Sequence, residues 1–92
     1  MTHNVKFYYT NVPKLGNVVL SRHCQAKMLI EEISEEKFED VLFNGVWEEE
    51  GFDVLRIEKD FIRLIIVMNP KPFSGARVVK TLYRVKSQYK VI

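Results

Sequence analysis

The spacing of apolar residues changes at Gly45, and this change fixes the class of fold. Before Gly45, two segments have helical spacing, and each follows a serine that can cap a helix. We expect helices from Arg22 to about Ile33 and from Ser34 to Asn44. After Gly45, four stretches rich in β-branched and aromatic residues predict a β-meander: Val46–Glu50, Phe52–Glu58, Phe61–Met68 and Arg77–Val85.

The rest of the chain completes this prediction. Val5–Thr10 has the composition of a short strand, which Asn11–Asn17 interrupts with a proline and a glycine. The proline-rich stretch Asn69–Ala76 predicts a loop. The 92 residues suffice for one core, so residues 1–92 are expected to form a single domain. The expected fold is α+β, with two N-terminal helices packed on a small antiparallel β-sheet.

Charge is separated along the sequence. All twelve carboxylates lie between Glu31 and Asp60, together with three cations, whereas the flanking segments carry eleven lysines and arginines and no acid. The net charge of +2 conceals this separation. If the folded chain keeps these segments apart, its basic surface will attract a polyanion such as RNA. We interpret the carboxylates of residues 31–36 as the solvated surface of helices.

Cysteine content and hydropathy predict where the protein works. Cys24 is the only cysteine, so no intramolecular disulfide forms, and a reducing cytoplasmic compartment is expected. The longest apolar run, Leu64–Met68, is far too short to cross a bilayer, so no membrane association is expected. No Cys or His pair has zinc-site spacing and no glycine-rich loop can hold a phosphate. We therefore expect neither a metal nor a cofactor.

His23 and Lys27 are candidates for catalysis. They lie four residues apart on the first predicted helix, so both side chains occupy one face and can act on the same ligand. A neighbouring ammonium favours the neutral imidazole, which accepts protons near neutral pH. This pair suits abstraction of a proton from a ribose 2′-hydroxyl, with the cation stabilising the phosphorane. The alternative is that His23 merely packs near the helix start and Lys27 is solvated.

Two arginines form a candidate phosphate site in the meander. If Glu58 pairs with Phe61 across the hairpin, Arg56 lies directly opposite Arg63. Like charges at such a position are destabilising unless an anion, solvent or a carboxylate such as Glu58 separates them. A phosphate would do so well, because each guanidinium offers a planar fork of donors to phosphate oxygens. The alternative is a solvated face on which the two side chains splay apart.

The last predicted strand combines hydroxyl groups with positive charge. Thr81 and Tyr83 share one side, where they can donate hydrogen bonds and Tyr83 can stack on a base. Both are also ordinary strand formers, which leaves a purely structural role open. Around them, basic residues alternate with aromatic ones, as on many nucleic-acid-binding surfaces: Lys80, Arg84, Lys86, Tyr89 and Lys90.

Three stretches of the chain resemble a bacterial and phage family of domains of unknown function. The first is 20–28, with Ser21, His23, Lys27 and Met28 in a Ser-x-His-x-x-x-Arg-Met pattern. The second is Ile33-Ser34 followed by a helix ending in Gly45. The third comprises the strands 64–67 and 78–83, which close with a Val-x-Thr-x-Tyr pattern. That family looks related to the RelE, ParE and BrnT toxins of the barnase, EndoU, colicin and RelE superfamily.

The resemblance implies a RelE-like or barnase-like fold with a metal-independent ribonuclease site on the sheet. The family's His falls on His23, its Arg on Lys27, and its Thr and Tyr on Thr81 and Tyr83. Lys27 keeps the charge of the family's arginine but loses its bidentate fork, so Arg56 or Arg63 would have to hold the phosphate tightly.

Two hypotheses about function follow. The first is a small endoribonuclease of the toxin type, with His23, Lys27, Thr81 and Tyr83 at the catalytic site. Five cations would bind RNA, namely Arg22, Arg56, Arg63, Lys80 and Arg84, and an antitoxin with acidic or apolar segments would cover them. The second is a non-catalytic regulator, of phage origin, that binds nucleic acid or a host protein through the same charged surface.

Overall fold

The computed structural model describes residues 6–68 and 76–85, which form two helices and a six-stranded mixed sheet. The elements are β1 (Tyr8–Val12), β2 (Gly16–Leu20), α1 (Arg22–Ile30), α2 (Glu35–Asn44), β3 (Val46–Gly51), β4 (Val54–Lys59), β5 (Ile62–Val67) and β6 (Ala76–Arg84). The sheet has the order β1-β2-β6-β5-β4-β3. The α+β class is thereby confirmed.

Two parts of the fold prediction were wrong. The helices follow a β-hairpin and are central in the chain, not N-terminal. The sheet is mixed, because β2 pairs with β6 in parallel while all other neighbours are antiparallel. No strand was predicted for residues 18–20. They form a strand because β6, almost sixty residues later, supplies a partner along which Val18 and Leu20 are buried.

Both predicted serine caps are confirmed. The Ser21 hydroxyl accepts a hydrogen bond from the Cys24 N–H at 3.0 Å, and the Ser34 hydroxyl accepts one from the Lys37 N–H at 3.1 Å. The first helix ends at Ile30, three residues before the predicted end. A local motif closes the helix there: Glu32 has a φ of 55°, and the Ile33 N–H donates to the Met28 carbonyl at 2.9 Å. The Arg84 guanidinium donates to the backbone carbonyls of residues 31 and 32, just beyond the helix.

The helices pack on one side of the sheet, here called the inner face, and the opposite side is the outer face. The predicted alternation in β5 is confirmed: Ile62, Leu64 and Ile66 are buried against the helices. In β6, Val79 and Leu82 both lie in the core although they are three residues apart. A register shift between Ile65 and Ile66 makes this spacing possible, and it explains why alternation alone revealed no core face in β6.

The sheet curves strongly around its helices. Tyr9 of β1 packs its ring on Phe38 and Phe43 of α2, with centroids 5.6 and 6.5 Å apart. The Lys14 ammonium, in the turn between β1 and β2, lies 5.2 Å from the ring centre of Trp47 in β3. A flat six-stranded sheet would separate its two edge strands by about 24 Å. The first hairpin must therefore curl over the helices toward the opposite edge of the sheet.

The predicted register of the central hairpin was wrong, because the turn lies one residue later in the chain than expected. The turn is Asp60-Phe61, so Lys59 pairs with Ile62, Glu58 with Arg63, and Arg56 with Ile65. Both turn residues have positive φ, 52° and 64°, as a two-residue type I′ hairpin requires. Neither is glycine, so the residue types did not indicate this turn. Arg56 and Arg63 are consequently not opposite each other.

Several expectations concern residues outside the described ranges. These are the predicted loop from Asn69 onward and three predicted contact residues after the last strand, Lys86, Tyr89 and Lys90. Within the described ranges, neither helix has the length or the hydropathy needed to cross a bilayer.

Candidate nucleic-acid interface

The separation of charge in the sequence becomes a separation in space. Residues 6–30, 61–68 and 76–85, here called the basic half, contain eight lysines and arginines and no carboxylate. They form α1 and the four neighbouring strands β1, β2, β6 and β5. Residues 31–60, here called the acidic half, form α2 and the last two strands, β4 and β3. The cations of the basic half and the carboxylates of the acidic half thus belong to different elements, although the first hairpin reaches the acidic half through Tyr9 and Lys14.

The N-terminus of α1 brings three predicted site residues together. The Ser21 N–H donates to the carbonyl of Val79 at 3.0 Å, and the Ser21 hydroxyl donates to the carbonyl of Lys80 at 2.8 Å. These bonds hold the start of the helix beside the irregular part of β6. Arg22, His23 and Lys80 are all exposed there, and we call them the basic corner.

The electrostatics of the basic corner favour an anion. The first turn of α1 contains no acidic residue, and the unpaired N–H groups of a helix start carry partial positive charge. Two cationic side chains, Arg22 and Lys80, add to that field. His23 makes no hydrogen bond with any described residue, so its imidazole is available to a ligand.

Lys27 is engaged elsewhere. Its ammonium forms an ion pair with Glu31 at 3.2 Å, one helical turn further along α1. Both side chains are about one-quarter exposed, so the pair is neither buried nor fully solvated. The carboxylate competes with a phosphate for Lys27, and the lysine is less available to stabilise a phosphorane than the sequence alone suggested.

Thr81 and Tyr83 lie on the outer face of β6. Tyr83 pairs with Arg63 of β5, whose guanidinium lies 3.4 Å from the Tyr83 hydroxyl and 5.7 Å from the centre of its ring. Glu58 forms an ion pair with the same guanidinium at 2.9 Å. The hydrogen bond with Tyr83 raises the pKa of Arg63 above its ordinary value, and the hydrogen bond with Glu58 contributes a smaller rise.

Arg56 is also held by carboxylates. Its two terminal nitrogens form ion pairs with Glu48 and with Glu50, the latter at 3.3 Å. The guanidinium therefore bridges two side chains of β3. Arg63 is likewise neutralised by Glu58. The described part of the chain therefore lacks the predicted phosphate site between two unpaired arginines.

The predicted catalytic residues are thus divided between two layers. His23 and Lys27 belong to α1, which packs against β6 from the inner face, whereas Thr81 and Tyr83 project from the outer face of β6. No hydrogen bond, ion pair or ring contact among the described residues joins the two pairs. Arg84, another predicted phosphate ligand, instead ties β6 to the end of α1.

Sequence reasoning missed two features. One is Arg77, whose Nε is buried and has no hydrogen-bond partner among the described residues. The other is a cavity of about 470 Å³ beside the central turn, lined in part by Val46 and Phe61. Arg77 is one of three cations in β6, with Lys80 and Arg84, so its residue type did not single it out. The cavity lies beside the turn Asp60-Phe61, whose positive φ values the residue types did not predict.

Among residues 6–68 and 76–85, no three His, Cys, Asp or Glu side chains come close enough together to hold a metal ion. Comparison with protein-family models, with curated proteins and with solved structures gives no match for this chain.

Proposed function

We propose that this protein binds RNA in the cytoplasm through its basic half, with the basic corner as the main point of contact. The observation that carries the proposal is the location of the charges: α1 and four adjacent strands have eight cations and no carboxylate. Phosphate contacts supply most of the sequence-independent affinity for nucleic acid. The acidic half opposes binding on the other side and thus orients the RNA.

Binding of labelled single-stranded RNA at several salt concentrations tests this proposal. Removal of one cation that binds a phosphate should lower the salt dependence, the slope of log K against log salt, by about 0.7 for a single strand. We expect the double variant Arg22→Ala, Lys80→Ala to bind more weakly and to show a smaller slope. Both side chains are exposed, so the fold should be retained.

Lys37→Ala is the matched control, since Lys37 is an exposed lysine of the acidic half. It should leave both affinity and salt slope unchanged. Equal weakening by the control, or binding that does not depend on salt, would contradict the proposed interface.

The second candidate function is metal-independent cleavage of the bound RNA. The specific observation in its favour is that His23 is exposed beside Arg22 and Lys80, without a hydrogen-bonding partner among the described residues. In this reaction His23 takes the proton of a ribose 2′-hydroxyl, and that oxygen attacks the adjacent phosphorus. The bond to the 5′-oxygen breaks, the leaving oxygen takes a proton from solvent, and the products are a 2′,3′-cyclic phosphate and a 5′-hydroxyl.

Mapping the ends of labelled RNA after incubation with chelator tests cleavage separately from binding. If the protein is a ribonuclease, cleavage should resist chelator, give 2′,3′-cyclic phosphate, and disappear in His23→Ala while RNA affinity changes little. Cleavage that persists in His23→Ala would eliminate His23 as the catalytic base. RNA binding without cleavage would instead favour the non-catalytic regulator.

An antitoxin belongs to the proposal only if cleavage is found. Its segment would be acidic or apolar, because it would have to cover the basic corner and exclude RNA. Such a partner would compete with RNA, and the competition should weaken as salt is raised.

A further inference from the structure

The outer edge of strand β3 pairs with no other strand in the described part of the chain. This strand is the last of the sheet, and its residues are exposed except for the partly covered Trp47. Among the described residues, no backbone group of 46–51 forms a hydrogen bond outside the pairing with β4. From Val46 to Glu49 the N–H and C=O groups of alternate residues point away from the sheet and are available to another strand, and the register with β4 shifts between Glu49 and Gly51.

Exposed apolar side chains stand at both ends of this edge. Val46 is 73% exposed and Phe61 54% exposed, and the two line the 470 Å³ cavity at the start of β3. Phe52, at the other end, is 90% exposed and lines a second cavity of about 280 Å³. Apolar side chains that flank a free edge are what a docked strand would cover.

The backbone of Phe61 adds a separate observation. Its φ of 64° lies in the left-handed region, which bulky residues rarely adopt. A residue such as asparagine or glycine would form the same turn with less strain. The strained conformation holds a large aromatic side chain at the surface beside the cavity, as expected of a contact residue.

The negative charge of β3 indicates which kind of strand can pair with its edge. Glu48, Glu49 and Glu50 are exposed in the middle of the strand. A second copy of the chain paired through the same edge would bring these carboxylates against each other, which is unfavourable. A segment with lysine or arginine at its centre is complementary to them.

We infer that β3 binds an extended basic segment of a partner protein as a seventh strand. Apolar residues at the two ends of the segment would cover Val46 with Phe61 at one end and Phe52 at the other. Central cations would face the three glutamates. At about 3.4 Å per residue, six to eight residues match the strand. Apart from Phe61, in the turn between β4 and β5, this site is on the acidic half, and it does not depend on the proposed binding of RNA.

The test uses a blocked peptide of sequence Val-Val-Lys-Lys-Lys-Val-Val, which reads the same in both directions and so does not prejudge strand orientation. Amide chemical shifts of the isotope-labelled protein are followed as the peptide is added. We expect saturable changes in the amides of β3 and of the turns at Phe52 and Phe61. A peptide with three central glutamates should produce none.

Backbone pairing is tested by N-methylation of the peptide at alternate residues. One of the two alternate sets should weaken binding by roughly tenfold because it removes main-chain donors, and the other should have little effect because it faces solvent. Equal affinity of both methylated peptides and the parent would overturn strand addition. Absence of saturable changes with the parent peptide would overturn the inference altogether.

Charge selection is tested in the protein with Glu49→Lys, which should weaken the peptide at least threefold. Glu49 is the suitable position because no ion pair is formed by it among the described residues, whereas Glu48 and Glu50 hold Arg56. Glu36→Lys, an exposed glutamate on α2, is the matched control and should bind normally. Equal weakening in both variants would contradict a site on β3.

Discussion

Cys24 illustrates how the fold sets the chemistry of a single side chain. It lies on the buried side of α1 and has no exposed surface. Burial raises the pKa of its thiol to about 12, because the apolar surroundings disfavour the thiolate. The reactive form is therefore absent from the folded protein at neutral pH.

We expect Cys24 to react with a thiol reagent at pH 8 only when the protein opens. The measurement is the rate of labelling with a disulfide reagent as urea is added, which should rise in parallel with unfolding. The raised pKa also means that the protonated thiol stabilises the fold below its ordinary pKa, and that this contribution is lost as pH rises toward 12. Rapid labelling in the absence of denaturant would contradict this burial.

Asp40 is a carboxyl group whose pKa is lowered by the fold. Lys59 of β4 donates to its carboxylate at 2.7 Å, and this hydrogen bond lowers the pKa of Asp40, with Asn44 contributing further. The same contact raises the pKa of Lys59. The pair links the last turn of α2 to the end of β4.

The contribution of Asp40 should depend on pH in a defined direction. A lowered pKa stabilises the fold above about pH 4, the ordinary carboxyl value, and the gain is lost as pH falls through the folded-state pKa. Urea unfolding of the wild type and of Asp40→Asn should differ at pH 6 and converge toward pH 2. A difference that stays constant over this range would exclude the carboxylate as its cause.

At the scale of elements, Gly45 controls how α2 joins β3. Its position after Asn44 predicts the end of the second helix, and α2 does end there. Its φ of −75° is not left-handed, so the usual conformational argument for a terminal glycine does not apply. Glycine is required at this position because there is no room for a side chain. An added Cβ would lie 2.5 Å from the Ile57 side chain and 2.5 Å from the Val41 carbonyl.

Gly45→Ala should therefore destabilise the protein by about 1–3 kcal/mol, since either the helix end or β4 must move. Gly51→Ala provides the control, because a Cβ there meets nothing within 4 Å. It should change the free energy of unfolding by less than about 0.5 kcal/mol. Chemical denaturation of the two variants measures both values, and equal effects would refute the packing explanation.

At the scale of the whole molecule, the curvature of the sheet depends on Tyr9. Its side chain is 3% exposed, its ring contacts two phenylalanines of α2, and its hydroxyl donates to Glu39 at 3.2 Å. Burial, and then the charge of Glu39, raises the pKa of the Tyr9 phenol. One residue of β1 thus fastens the first hairpin to the second helix.

Replacement of Tyr9 by alanine should cost about 3–5 kcal/mol, the range for deletion of a large buried aromatic side chain. Its neighbour Tyr8 projects from the other face and is 44% exposed, so Tyr8→Ala should cost about 1 kcal/mol or less. Urea unfolding followed by the fluorescence of Trp47 measures both. Similar destabilisation by the two would show that the hairpin does not depend on its contact with α2.

Local patterns in the sequence predicted the elements that local physics determines. Ser21 and Ser34 have caps that involve residues only three positions away, so their roles were visible in the chain. The core face of β5 followed from strict alternation. The end of α1 was missed because Glu32, a residue type that rarely adopts positive φ, has a φ of 55° there.

The candidate site was less predictable because it depends on a turn that the residue types did not predict and on contacts between distant elements. The sequence placed Arg56 opposite Arg63, and a strained turn at Asp60-Phe61 instead gave each arginine its own carboxylate partners. It placed Tyr83 with His23, and the two layers of the fold separated them. Only Arg22, His23 and Lys80 remained together, because Ser21 bonds directly to β6.

The sequence by itself determined the α+β class, the two capped helices, the meander and the segregation of charge, since each depends on residue type or on spacing within a few positions. The register of the central hairpin follows from the turn Asp60-Phe61, whose positive φ values the residue types did not predict. The tertiary structure alone decided the parallel pairing of β2 with β6, the curvature of the sheet and the position of the acidic strand β3 at its edge. These features arise when segments distant in the chain meet, and the free energy of such contacts is not visible in any local pattern.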